Sequence, residues 1–86
     1  MENMYYKLVC IDEQHAIIAE QQLNNAKTNK IKAKRLGRAI IVCITNDKLE
    51  QKELAEINYL VSSVRVHAMA YDDELSQYDI DEIDKI

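Results

Sequence analysis

The sequence predicts an α/β fold: a small three-stranded, mainly parallel sheet in β-α-β-α-β order, with one long first helix and a short C-terminal helix. Three observations carry that expectation. Residues 39–44, Ala-Ile-Ile-Val-Cys-Ile, form an apolar run rich in β-branching. Successive strand side chains face opposite ways, so both faces of this segment must be covered, as in a central strand. Residues 49–61 place Leu49, Leu54, Ile57, Leu60 and Val61 at helical spacing. Val64, Val66, Ala68 and Ala70 alternate with Arg65, His67, Met69 and Tyr71, the period of a strand with one buried face.

Taken in order, residues 4–11 read as a strand because aromatic and branched residues dominate, and Lys7 points it toward an edge. From 13 to 36 there is no Gly or Pro, and Ala, Gln, Glu and Lys abound. That composition predicts one long helix, or two pieces meeting near Thr28-Asn29. Ala19, Ala26 and Ala33 repeat at heptad spacing, permitting either a partner helix or close packing on the sheet. Gly37 then suits the left-handed position that ends helices. After the central strand, Asp47 with Glu50 three residues on is a cap-and-return pattern for the second helix. Long crossovers predict parallel pairing, strand order 1-2-3 and both helices on one face. The other face needs a cover. Residues 73–86, with Leu75, Tyr78, Ile83 and Ile86 roughly on one side, can supply it, and so can a second copy.

With 86 residues, 48% hydrophobic and 30% charged, the chain is expected to form one folded domain over residues 1–71. Residues 72–86 form an acidic C-terminal segment, helical and packed on that domain. No apolar run approaches the ~20 residues needed to cross a bilayer, and the start lacks the basic residues of a secretion signal. A cytoplasmic protein without membrane partners is the expectation. Cys10 and Cys43 sit in apolar strand patterns, where a reduced thiol behaves as a small hydrophobe.

The single glycine excludes both the Walker A loop and the dinucleotide fingerprint. Cys10, His15, Cys43 and His67 lack the close spacing of structural zinc sites. No catalytic residue, metal or cofactor is therefore assigned. What stands out is charge segregation. Lys27, Lys30, Lys32, Lys34, Arg35 and Arg38 crowd the middle, and Asp72, Asp73, Glu74, Asp79, Asp81, Glu82 and Asp84 crowd the end. Two interaction surfaces follow: a basic patch of Lys27, Lys30, Lys34, Arg35 and Arg38 along a helix end, and an acidic tail of Asp73, Glu74, Asp79, Asp81 and Asp84. The patches either steer association or neutralise each other within the fold or across a dimer.

These features predict a small non-enzymatic macromolecule-binding module, a regulator, subunit or inhibitor of a larger protein or nucleoprotein, with self-dimerisation also open. Two alternatives follow. One is a regulator that binds nucleic acid through the stretch from Lys27 to Arg38. The other is Mg²⁺-dependent phosphate chemistry at the carboxyl ends of parallel strands, where Asp12-Glu13, Thr45-Asn46-Asp47 and Asp72-Asp73-Glu74 would converge. Helix capping is the plainer role for those acids.

Overall fold

The apolar run is buried on both faces: Ile40, Ile41 and Val42 are fully inaccessible, and Cys43 and Ile44 nearly so. In the computed structural model, which describes residues 3–45, 48–72 and 75–85, this run is β3 (Ala39–Thr45). Its companions are β1 (Asn3–Cys10), α1 (Glu13–Asn24), β2 (Ile31–Leu36), α2 (Gln51–Val64), a 3-10 turn (Arg65–His67), β4 (Ala68–Asp72) and α3 (Gln77–Asp84).

The sheet corrects the expected topology. It has four strands in the order β2-β3-β1-β4, and every neighbouring pair is antiparallel. β1 and β2 run parallel with β3 inserted between them, and β3 and β4 run parallel with β1 inserted, which is the split βαβ arrangement. β1 is therefore internal, not an edge, whereas β4 is an edge.

The cause lies in residues 25–37. α1 stops at Asn24 instead of running to Leu36, because a polar stretch offers the chain other bonds than helical ones. Thr28 Oγ1 donates to Glu53 Oε2 at 2.6 Å, and the Thr28 and Lys27 amides donate to Glu56 at 3.0 and 3.3 Å. Residues 31–36, Ile-Lys-Ala-Lys-Arg-Leu, then pair with β3 as a hairpin in which Leu36 faces Ala39. Gly37, at φ 65°, occupies the first position of the two-residue connection and not a helix end. Positive φ at that position alone is the type II′ pattern, which suits a twisted hairpin.

The outer edge of β2 is closed by α1. Asn24 Nδ2 donates to the Ala33 carbonyl and Asn24 Oδ1 accepts from the Ala33 N–H, both at 2.9 Å. Glu20 Oε2 accepts from the Arg35 N–H at 2.6 Å. Asn24 thus imitates a neighbouring strand on an edge that would otherwise template pairing. Asn24→Ala should cost about 1–2 kcal/mol and make the mass seen by analytical ultracentrifugation rise with concentration.

On one face α1 contributes Ala16, Ala19 and Leu23, and α2 contributes Ile57 and Val64, to a core with Leu8, Cys10, Ile31, Ala33, Ile40, Val42 and Ile44. Ala19 lies on its own sheet, and Ala33 belongs to β2, so no alanine stripe is left for a partner helix. α2 starts later than expected: Glu50 is its cap, and its N–H donates to Glu53 Oε1 at 3.3 Å. Asp47 lies outside the described residues. Val64 closes α2, and β4 begins only at Ala68. The opposite face is covered by α3, whose Ile83 packs on Ile41 and Cys43 with Tyr5, Leu36 and Leu75. An open face therefore no longer calls for a second copy. No helix among the described residues is long and apolar enough to cross a membrane.

Candidate macromolecule-binding face

Strand register assigns the side chains on the α3 side of the sheet. Lys32, Cys43 and Tyr5 form one row across β2, β3 and β1; Lys34, Ile41 and Lys7 form the next; Leu36, Ala39 and Val9 form the third. Side chains directly across a strand pair share a face, so three lysines and a tyrosine surround the apolar centre of Ile41 and Cys43. Period-two spacing puts them there: Lys32 and Lys34 alternate with the buried Ile31 and Ala33.

The acidic tail folds onto this cationic face. Lys7 Nζ donates to Asp79 Oδ2 at 3.4 Å, and Tyr5 OH donates to Asp84 Oδ1 at 3.0 Å. Lys32 and Asp84 both act electrostatically on the Cys43 thiol beneath the helix. Asp79 is itself buried. Its Oδ2 accepts from the Ser76 N–H at 3.2 Å, and the Ser76 hydroxyl accepts from the Asp79 N–H at 3.2 Å, a reciprocal cap that starts α3. Burial pushes the Asp79 carboxyl up, but the Ser76 N–H and hydroxyl and the Lys7 ammonium outweigh it and hold it below the usual carboxylate range.

The division of charge follows the division of structure. Residues 1–71 carry ten Lys and Arg against eight Asp and Glu, a net of +2. Residues 72–86 carry one against seven, a net of −6. All the net acidity resides in the segment that ends in α3.

The expected basic patch is not a helical stripe. Lys27 is exposed on the loop after α1 and Lys30 is half-buried at its end. Lys34 belongs to the α3 face. Arg35, on the opposite side of β2, pairs with Glu13 Oε1 at 3.0 Å. Arg38, in the hairpin turn, donates through Nε and Nη2 to the Cys10 carbonyl at 3.2 and 3.1 Å. Of the tail acids, Asp79, Asp81 and Asp84 lie on α3, and Asp73 and Glu74 lie outside the described residues. Sequence reading missed Tyr5 and Lys7 as members of the face and placed Lys32 on a helical stripe instead of a strand; the Ile-Lys-Ala-Lys alternation was the available signal.

Among the described residues, the carboxyl ends of β1 and β3 do not converge as the expected Mg²⁺ site requires. Antiparallel pairing sets Asn3 opposite Thr45 and Val9 opposite Ala39, so Asp12 and Thr45 lie at opposite ends of the sheet. Asn46, Asp47, Asp73 and Glu74 are outside the described residues. Asp12 instead caps α1, accepting from the His15 N–H at 2.8 Å and from His15 Nδ1 at 2.7 Å. The His15 N–H, then the imidazole, hold its carboxyl below the usual range. His15 also sits 5.4 Å from His67, ring centre to ring centre. Among the described residues no three His, Cys, Asp or Glu side chains group as metal ligands. An open groove of about 300 Å³ is lined by Lys27, Thr28, Lys52, Glu53 and Glu56, and its carboxylates are engaged in fastening the α1–β2 loop. Burial pushes both cysteine thiols up, away from the reactive thiolate.

Asp12, Glu53 and Asp79 share one pH consequence, since all three carboxyls are held low in the folded chain. A lowered carboxyl stabilises the fold above its unfolded-state pKa, and that contribution is lost as pH falls through the folded value. Melting temperature should therefore hold near neutrality and fall below about pH 4–5. A melting curve unchanged down to pH 3 would contradict these three assignments.

Comparison with family models, curated proteins and solved structures finds no match to this chain.

Proposed function

We propose that the chain is a small non-enzymatic module that binds a macromolecular partner through the sheet face beneath α3. The observation that carries this reading is a cationic face already holding an anionic segment. Lys7 meets Asp79, Tyr5 meets Asp84, and the body is net positive only apart from its tail. Complementary potential is a means of steering encounter and choosing a partner. The non-enzymatic part of the reading is supported by the use of the acids: Asp12, Glu53 and Asp79 hold helix starts and loops. The fold adds nothing here, because the split βαβ arrangement hosts unrelated functions.

The test is affinity capture from the source cell with the parent chain and a Lys32→Glu/Lys34→Glu variant, followed by cross-linking and mass spectrometry. A partner held by the parent through lysines of β1–β3 and released by the variant is expected. Identical capture by both chains, or cross-links confined to the α1–α2 side, would overturn the reading.

A further inference from the structure

We infer that α3 is a displaceable cover, and that the face beneath it takes a single-stranded nucleic acid in its place. This inference rests on the reading above and names both its ligand and its regulation.

The size of α3 argues for displacement. It spans eight residues, of which only Asp79 and Ile83 are buried. As a helix it adds no β-ladder, and its polar ties to the sheet include a part-buried Lys7–Asp79 pair at 3.4 Å and an exposed Tyr5–Asp84 bond. The exposed Tyr5–Asp84 bond contributes little and weakens further with salt, whereas the Lys7–Asp79 pair is partly buried. Ile83 is the principal apolar anchor, seated on Ile41 and Cys43.

The ligand class follows from what α3 occupies. Asp79 stands against Lys7 on the face that register gives Lys32 and Lys34 as well, and lysines make sequence-independent contacts to phosphates. Tyr5 shares the face, its hydroxyl now tied to Asp84. A ring on a flat sheet bordered by cations is a stacking platform for unpaired bases. An acidic protein satisfies the lysines but brings nothing to the ring. Residues 72–86 carry a net of −6 against +2 for residues 1–71, so the segment lying on the face repels what the face itself attracts.

Ile83→Asp in the full-length chain separates these effects, because it removes the anchor while making the protein more acidic. A gain in affinity for a polyanion can then come only from uncovering the face. The probes are a fluorescent oligo(dT) and oligo(U), a DNA duplex and a poly-glutamate peptide, followed by anisotropy across a salt series. A cover closed in about nine of ten molecules lowers apparent affinity about tenfold, so Ile83→Asp should bind the single strands at least about tenfold tighter than the parent. Adding Lys32→Gln and Lys34→Gln should reverse the gain and flatten the log K against log salt slope by about 1.4. Adding Tyr5→Leu should weaken single-strand binding while leaving poly-glutamate binding unchanged. Should Ile83→Asp disturb the body, Asp81→Asn/Asp84→Asn must give the same ranking of probes. Cys43 labelling by a thiol reagent verifies that α3 has lifted. No gain for single strands once Cys43 is exposed would overturn the inference, as would equal or stronger gains for duplex or poly-glutamate. Capture that depends on Lys32 and Lys34 would persist in that case if the broader reading holds, and would be lost if it fails.

Discussion

Val42→Asp should leave the chain unfolded at room temperature. Val42 is fully inaccessible in the core between the sheet and the α1–α2 layer, and its strand has a neighbour on each side. A carboxylate placed there finds no cation among the side chains of that core. Burying an unpaired charge costs several kcal/mol at least, against a total stability of about 5–15 kcal/mol for a domain. Loss of the cooperative melt and of native circular dichroism is the expected observation. A native spectrum with a cooperative transition would show that β3 is not internal.

The second large effect is on α3. Asp79→Ala removes the return half of the cap with Ser76 and the Asp79 carboxylate that Lys7 meets. Capping bonds are worth about 1 kcal/mol, and loss of a partner from a partly buried ion pair adds to that. The expected total of about 2–3 kcal/mol is large for a helix of eight residues. α3 should detach while the four-stranded body melts cooperatively. Asp79→Asn, which retains an acceptor for the Ser76 N–H, should recover the cap but not the pairing with Lys7. If Asp79→Ala leaves the ellipticity and stability unchanged, the Ser76–Asp79–Lys7 cluster does not hold the tail.

The apolar run of β3 was legible because burial on both faces leaves a composition that few other structures explain. The amphipathic pattern of α2 was legible for the same kind of reason, whereas the sequence left the cover of the second face open between the tail and a second copy, and Tyr78, grouped with Leu75 and Ile83, is exposed. Residues 25–36 were not legible. Lys, Arg and Ala are good helix formers, and six residues with one β-branched side chain look helical by propensity; only the pairing with β3 makes them a strand. Misreading that segment turned a hairpin into a crossover, and with it an antiparallel sheet into a parallel one. The error carried into the site. A basic stripe on a helix became four separate places, and the carboxyl ends of β1 and β3, expected to lie together, came to lie at opposite ends of the sheet. Lys7, read as a sign of an edge, belongs to an inner strand and turns its ammonium toward α3.

The two cysteines report directly on whether α3 opens separately from the rest. Cys43 lies under α3 beside Ile41 and Ile83, whereas Cys10 lies in the core beneath α1 and α2. In the native parent chain, the labelling rate of each thiol by an excess of a small reagent gives the free energy of the opening that exposes it. Cys43 should label at least about tenfold faster than Cys10, corresponding to an opening cheaper by about 1.4 kcal/mol or more, and its rate should rise with salt as the contacts of Lys7 and Tyr5 weaken. Equal rates for both thiols, each matching global unfolding, would contradict the account, because α3 would then be an inseparable part of the core and not a cover.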